Sequence, residues 1–291
     1  MRLLPVGRHR ITATRLGRAA TVVSAATLCT AVLSPTAPPV NAAPPGYSLV
    51  LDDEFDGPVN TAPDPVVWGY DLKGGWGNNE KQVYTDAREN SRLDGAGNLV
   101  VEARHHGDTI TSARLVTRGK HDFTYGYMEA RIKLAGGQGM HPAFWLLGSN
   151  IDTVGWPASG EIDVIESIND GRTFNSGVHG PTSTSTSVSS VDSAPWKRSV
   201  GGDTGGVDLT ADFHTYGILR TPGHIQTFID GRPMFELDRA DLRGNEHWVF
   251  DAPSYVILNL AVGGDWPGPV DETTRFPATM LVDWIRLYQQ S

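Results

Sequence analysis

Three carboxylates in one short segment are the residues of this sequence best placed to do chemistry. Residues 160–167 read Gly-Glu-Ile-Asp-Val-Ile-Glu-Ser and carry Glu161, Asp163 and Glu166. On a β-strand, residues two apart point to the same face, so Glu161 and Asp163 are predicted to share one face. Glu166 is five positions from Glu161 and falls on the opposite face unless a β-bulge at positions 164–165 adds one residue. With that bulge, all three carboxylates line one face.

Such a cluster points to glycoside hydrolysis. Neighbouring carboxylates disfavour each other's ionisation, so one of them is expected to have a pKa well above its usual value. An ionised carboxylate beside a protonated one supplies the pair that cleaves a glycosidic bond. The spacing alone does not distinguish a retaining from an inverting enzyme. The alternative is an exposed strand whose carboxylates only face solvent.

The composition fits a large folded domain that does not bind nucleic acid. The chain has 291 residues, 39% of them hydrophobic, and a formal net charge of −9 from 24 Lys+Arg and 33 Asp+Glu. This apolar content is enough for a core, which excludes a wholly disordered chain. Because the sequence has no basic stripe, nucleic acid is not expected as a partner.

The N-terminus reads as a secretory signal peptide over residues 1–42. Five arginines and no acidic residue precede an apolar run over residues 19–33, and a small-residue cleavage site ends at Ala42. We expect a secreted, extracellular protein that has no membrane association after cleavage. The single cysteine, Cys29, would leave with this peptide, so no disulfide is expected. The alternatives are an uncleaved anchor or a disordered tail.

The rest of the chain, residues 43–291, is predicted to be one all-β domain. Short runs rich in β-branched and aromatic residues recur between Gly, Pro, Asn and Asp, which favours a two-sheet sandwich or a closed barrel. Residues 229–232, with Asp-Gly at the centre, predict a tight hairpin. The polar tract over residues 181–194 is interpreted as a surface insertion rather than a mobile loop beside a cleft. The predicted strands cover residues 98–103, 113–117, 125–134, 143–147, 161–167, 225–228, 255–260 and 281–288.

The acidic segment resembles the Glu-x-Asp-x-x-Glu signature of glycoside hydrolase family 16 in its bulged form. Residues 53–57 resemble the opening strand of that family. The stretches that resemble its laminarinase-like branch, which cleaves β-1,3-glucan, are residues 76–80, 111–114, 125–131, 142–145, 155–157, 259–264 and 282–286.

The resemblance implies a fold and a mechanism. The fold would be a concanavalin A-like β-jelly roll of two curved antiparallel sheets with a carbohydrate cleft on the concave face. The reaction would be retaining, endo-acting cleavage of β-1,3-glucan through a glycosyl-enzyme intermediate, with no cofactor for catalysis. By position in the motif, Glu161 would be the nucleophile, Glu166 the acid/base, and Asp163 the group that tunes Glu161.

One residue departs from the family pattern. His141 stands where many laminarinase-like sequences carry Trp, so a titratable ring replaces a sugar-stacking surface. This keeps mixed-linkage β-1,3/1,4-glucan and β-galactan open as alternative substrates. A glucan-binding module without hydrolytic activity is a further alternative, although such relatives typically lack the catalytic carboxylates. Transglycosylation also remains open.

A neutral polysaccharide offers hydroxyls and apolar ring faces, so its cleft should mix aromatic and polar side chains. Trp68 and Trp284 are instead predicted to pack inside. The predicted substrate-binding residues are Asn78, Asn79, Arg114, His141, Trp145, Trp156, His179 and Trp266.

A structural calcium ion is the one metal expected. The stretches that contain Glu54 and Asp283 carry such an ion in many relatives, and carboxylate oxygens suit calcium. Plain surface acids are the alternative for both residues. A β-glucan polysaccharide is the expected partner, and the protein is expected to be a monomer.

Overall fold

The computed structural model describes residues 45–183 and 193–291. The predicted signal peptide, residues 1–42, lies outside the described residues, as does most of the polar tract predicted over residues 181–194. Both therefore stay predictions.

The regular secondary structure of the described residues is almost entirely β-strand, with one four-residue helix, α1 (Ile151–Val154), and one 3-10 helix (Arg239–Asp241). In chain order, the strands are β1 (Tyr47–Asp53), β2 (Gly69–Tyr70), β3 (Gln82–Tyr84), β4 (Ser91–Leu93), β5 (Leu99–His106), β6 (Thr109–Ser112), β7 (Arg114–Val116), β8 (Gly126–Lys133), β9 (Met140–Gly148), β10 (Glu161–Ile168), β11 (Thr173–Thr182), β12 (Ala194–Asp203), β13 (His214–Thr221), β14 (His224–Ile229), β15 (Arg232–Asp238), β16 (Ser254–Val262) and β17 (Ala278–Gln290).

These strands form two sheets. The ten-stranded sheet has the order β15-β14-β13-β8-β17-β5-β6-β3, with β1 added on β17 and β4 on β5. The seven-stranded sheet has the order β12-β11-β10-β9-β16-β7-β2. Neighbouring strands run antiparallel except β3 and β6, which pair in parallel. The arrangement is the predicted β-jelly-roll sandwich rather than a closed barrel, and the parallel pair is an unpredicted detail.

The core lies between the sheets. Along β8, buried residues alternate with partly exposed ones, as expected for a strand with one face on a core. From the other sheet, Ile162, Val164 and Ile165 of β10 join the same apolar cluster. Trp68 and Trp284 are also buried, as predicted. Burying one large aliphatic side chain contributes about 1.5–3 kcal/mol, so this cluster stabilises the domain without disulfides.

The strand predictions from the sequence are confirmed in position. Each of the eight predicted segments overlaps a strand of the structure. The predicted hairpin joins β14 to β15, and its central residues Asp230 and Gly231 have φ angles of 49° and 71°. Positive φ at both positions is what a two-residue turn of this kind requires.

Within the described part of the chain, no helix is long and apolar enough to span a bilayer.

Candidate active site

The acidic segment is strand β10, and it contains the predicted bulge. On one side, Asp163 pairs with Trp145 of β9 and Ile165 pairs with Phe144, so β10 has one extra residue. On the other side, the register with β11 shifts between Asp163 and Glu166. Val164 and Ile165 are both buried, so the bulge keeps the apolar side chains in the core. Because of the extra residue, Glu166 returns to the face of Glu161.

Glu166 is held by two nitrogen atoms, one on each carboxylate oxygen. Asn175 Nδ2 donates to Glu166 Oε2 over 2.8 Å. His141 Nε2 lies 3.1 Å from Glu166 Oε1. Both partners come from the strands that flank β10. Asn175 lies on β11, where it pairs with Glu166, and His141 lies on β9. The two contacts fix the Glu166 side chain in the cleft.

Asp163 is the most deeply buried of the three carboxylates. Its side chain is 3% exposed, against 20% for Glu161. Asp163 Oδ2 has no hydrogen-bond partner among the described residues, although His179 Nε2 lies 3.4 Å from it. His179 Nε2 also lies 3.8 Å from Glu161 Oε1. A buried oxygen without a donor disfavours the ionised carboxylate, so Asp163 is suited to carry a proton.

The three carboxyl groups titrate differently because their surroundings differ. Burial, followed by the charge of Asp163, raises the pKa of Glu161 to about 8. Burial and the charge of Glu166 raise the pKa of Asp163 well above its usual value. Burial would also raise the pKa of Glu166, but the hydrogen bonds and charge from His141 and Asn175 hold it below its usual value. Negative charge in the substrate-free site is therefore concentrated on Glu166.

The carboxylates lie between two cavities on the outer face of the seven-stranded sheet. The larger has a volume of about 880 Å³ and the smaller about 230 Å³. Glu161, Glu166 and His141 line both. The larger cavity has the volume of a small-molecule binding site, and both cavities adjoin Glu161 and Glu166.

The smaller cavity has a wall made of Arg114 and two tryptophans. The Arg114 guanidinium lies 4.2 Å from the ring centre of Trp76 and 4.6 Å from that of Trp145. Arg114 Nε donates to Asp71 Oδ2 over 3.1 Å. This ion pair and the two cation–π contacts fix a flat polar and aromatic surface of the kind that binds a sugar ring.

A relay of two hydrogen bonds, through Asn259 to Tyr84, holds the Trp145 side chain in place. Trp145 Nε1 donates to Asn259 Oδ1 over 2.7 Å, and Asn259 Nδ2 donates to the Tyr84 hydroxyl over 3.0 Å. Tyr84 also packs edge-on against Trp76, with ring centres 5.8 Å apart. The relay therefore fixes both tryptophans of the wall.

Two exposed tryptophans contribute to the larger cavity, as predicted. Trp156 is 43% exposed and Trp266 is 41% exposed, and both line this cavity. Trp156 lies 6.1 Å from the His179 ring. Trp266 contacts His141 in a T-shaped arrangement with ring centres 5.2 Å apart. Both tryptophans thus line the same cavity as Glu161 and Glu166.

The two predicted asparagines take different positions. Asn78 lines both cavities. Asn79 lines neither, and its amide donates instead to Asp265 Oδ1 over 2.8 Å. Asn79 therefore holds a residue of the cavity wall rather than facing the cleft itself. Both asparagines have φ near 60°, a conformation that asparagine adopts more readily than most residues.

Sequence reasoning did not single out several residues of the site. One of them had a readable signal: Asn169, Asp170 and Gly171 form the turn between β10 and β11, and a hairpin there places Asn175 beside Glu166. The others depend on contacts between distant segments and had no local signal. The missed residues are Asp71, Trp76, Glu80, Tyr84, Asn175, Lys197 and Asn259.

The two residues predicted to bind calcium are engaged with arginines. Arg286 donates to Glu54 Oε1 over 3.0 Å through its Nε. Arg131 Nη1 donates to Asp283 Oδ2 over 2.5 Å. Each carboxylate thus already has a positively charged partner, so these contacts do not fit a calcium site. Structural calcium stays a prediction that the described contacts do not favour.

Comparison with known proteins places the chain in a family. The family model "Glycosyl hydrolases family 16" matches residues 77–286. A relative described as "Beta-glucanase" from Rhodothermus marinus is 41% identical over 263 residues, which are 84% of this chain and 86% of the relative. "Glucan endo-1,3-beta-glucosidase A1" from Niallia circulans is 30% identical over 280 residues, and the match spans 87% of this chain but only 39% of that longer protein.

A solved structure agrees with this placement. The laminarinase catalytic domain from Thermotoga maritima has a TM-score of 0.73 and 38% sequence identity. The match covers 84% of this chain and 99% of that domain. The matched family model includes the bulged strand and both flanking strands of the candidate site. The chain therefore belongs to glycosyl hydrolase family 16.

Proposed function

We propose that this protein is a secreted, retaining endo-β-1,3-glucanase. The observation that carries the proposal is the bulge in β10, which brings Glu161 and Glu166 to one face between two cavities. The matched relatives act as support for the substrate, since their descriptions name β-glucanase, endo-1,3-β-glucosidase and laminarinase activities. Secretion rests on the signal-peptide prediction, and a monomer is proposed as the working state.

In the proposed mechanism, Glu161 first releases its proton to solvent in the cavity, and its carboxylate then attacks the anomeric carbon while Glu166 delivers a proton to the leaving glycosidic oxygen. Glu166 then takes a proton from water, which releases the sugar from Glu161 with retention of configuration. A proton taken up by Asp163 would remove the Asp163 charge that raises the pKa of Glu161, and would so favour the ionised nucleophile. His179 Nε2 faces both carboxyl groups, at 3.8 Å from Glu161 Oε1 and 3.4 Å from Asp163 Oδ2.

Binding is assigned to the walls of the two cavities. The wall formed by Arg114, Trp76 and Trp145 would hold one sugar unit through ring stacking and hydroxyl contacts. Trp156 and Trp266 would hold units in the larger cavity. Asn78 and His179 line the same cavity and offer polar contacts. A surface of this mixed character suits a neutral glycan.

The test uses substitutions at the two glutamates. Glu161→Gln and Glu166→Gln should each lower turnover of laminarin by at least about 1,000-fold while glucan binding persists. Glu272→Gln, on an exposed loop outside both cavities, is the matched control and should keep full turnover. A wild-type protein that binds glucan without cleaving it would show a binding module instead.

Azide separates the two catalytic roles. With a substrate that has a good leaving group, the Glu161→Ala variant and azide should give a glycosyl azide of inverted configuration. The Glu166→Ala variant and azide should give the retained product, because Glu161 still forms the covalent intermediate. Exchanged outcomes would exchange the two roles. Parallel digestion of laminarin, lichenan and β-1,3-galactan would identify the preferred linkage.

A further inference from the structure

Glu166, the proposed acid/base, needs a source for the proton that it delivers. Both oxygens of Glu166 lie against nitrogen atoms, at 2.8 Å and 3.1 Å. A carboxylate held in this way favours its ionised form. The first step of the proposed mechanism, however, needs a proton at this position. The structure must therefore hold that proton close to Glu166 rather than permanently on it.

The geometry restricts where the proton can be. The Asn175 amide is a donor at the observed contact, so Glu166 Oε2 is occupied as an acceptor. Oε1 is thus the oxygen that can carry the acidic proton. The atom that faces Oε1 is His141 Nε2, which can either donate or accept depending on its own protonation.

The histidine is held in place for this contact. Its side chain is 13% exposed, and Trp266 packs against its ring in a T-shaped arrangement. On one side, His141 pairs with the small residue Ala261 of β16, and its ring contacts Glu166 of β10 on the other side. An imidazole nitrogen can take up and release a proton, which the amide of a glutamine side chain cannot do.

We propose that His141 is a positioning residue that stores the proton delivered by Glu166, so that the two side chains act as one general acid/base. This inference rests on the proposed function and deepens it. In the first step the proton passes from His141 Nε2 to Glu166 Oε1 and on to the glycosidic oxygen. The electron pair of the broken C–O bond stays with that oxygen, Glu161 forms the new bond to carbon, and the imidazole becomes neutral.

The second step restores the pair. Water attacks the anomeric carbon and the bond to Glu161 breaks with its electrons returning to that carboxylate. Glu166 accepts the proton of the water and passes it to His141 Nε2. No other reactant is needed, and the proton count of the site returns to its starting value.

Other charged groups face His141 and Glu166. Negative charges surrounding the pair favour retention of its proton, and positive ones oppose this. The Arg114 guanidinium also acts on Glu161 across the site. The remaining titratable groups around the pair are Glu80, Glu161, Asp163, His179, Lys197 and Asp265.

The test compares two leaving groups in wild type and in His141→Gln. The glutamine amide can still donate to Glu166 but cannot store a proton. With laminarin, whose leaving group needs protonation, kcat/KM should fall about 10- to 100-fold and the alkaline limb of its pH profile should move to lower pH. With a dinitrophenyl β-glucoside of a laminari-oligosaccharide, whose leaving group needs no proton, the rate of the first step should change less than about threefold.

His141→Trp provides the second variant. It keeps an aromatic surface beside Trp266 and should show the same dependence on the leaving group. A purely structural or sugar-binding role predicts equal losses on both substrates and an unchanged pH profile, and this result would overturn the proposal. A wild type that cleaves neither substrate would instead refute the proposed function and this inference with it.

Discussion

Ionisation of Glu161 should lower the stability of the fold as the pH rises. The pKa of Glu161 is raised from 4.5 to about 8, first by burial and then by Asp163. A folded-state pKa above the unfolded value means that the folded protein binds the proton more tightly. The stabilisation is therefore complete below about pH 4.5 and is lost as the pH rises through about 8. Removing the charge with Glu161→Gln should remove this loss.

The magnitude of this loss of stability follows from the size of the rise in the pKa of Glu161. A change from 4.5 to about 8 corresponds to at most about 5 kcal/mol. Glu161 is 20% exposed and lines a cavity open to water, so solvent screening lowers the expected effect to about 1–3 kcal/mol. For a domain of this size, each kcal/mol changes Tm by about 2–4 °C. We expect Glu161→Gln to melt about 3–10 °C above wild type at pH 8.5.

Calorimetry at several pH values checks this expectation. Wild type and Glu161→Gln should melt within about 2 °C of each other at pH 4.5, and the gap should widen steadily toward pH 8.5. Glu272→Gln removes an exposed carboxylate outside both cavities and should show no such widening. A gap that is constant with pH, or that narrows as the pH rises, would refute the reasoning.

Three further outcomes follow from contacts in and around the site. Arg220 is buried and donates to backbone carbonyls, so Arg220→Met should lower stability by about 3 kcal/mol in chemical denaturation, and an unchanged midpoint would contradict this. Tyr84→Phe removes the support of Asn259 and should raise KM for laminarin roughly fivefold, by about 1 kcal/mol, with kcat nearly unchanged. Asp71→Ala releases Arg114 and should likewise raise KM about fivefold in steady-state kinetics, whereas a fall in kcat alone would show that the pair acts on catalysis instead.

The acidic strand β10 could be predicted because its signal is local. The alternation of Glu161 and Asp163 with apolar residues defines a strand, and the position of Glu166 requires a bulge to make chemical sense. The observed register confirms that bulge. The hairpin at residues 229–232 was also readable, because its backbone needs two positive φ angles that Asp-Gly supplies.

The contacts of the site could not be predicted because they join distant parts of the chain. The partner of His141 is 25 residues away, and Asn259 bonds to a tyrosine 175 residues away. The same reason applies to the surroundings of Asp283, whose role in binding calcium stays a prediction. A run of residues shows that Asp283 is a carboxylate, but only the pairing of β17 with β8 shows that Arg131 is beside it.

The larger cavity carries an excess of acidic groups, and this charge has a consequence for ligands other than neutral sugars. Within the described part of the chain, its walls carry four carboxyl groups, Glu80, Glu161, Glu166 and Asp265, but a single lysine. Such a pocket attracts small cations and repels sulfated or uronic acid polymers. Basic sugar mimics, such as iminosugars that are protonated at neutral pH, should therefore be held there more tightly than their uncharged counterparts, and added salt should weaken that preference.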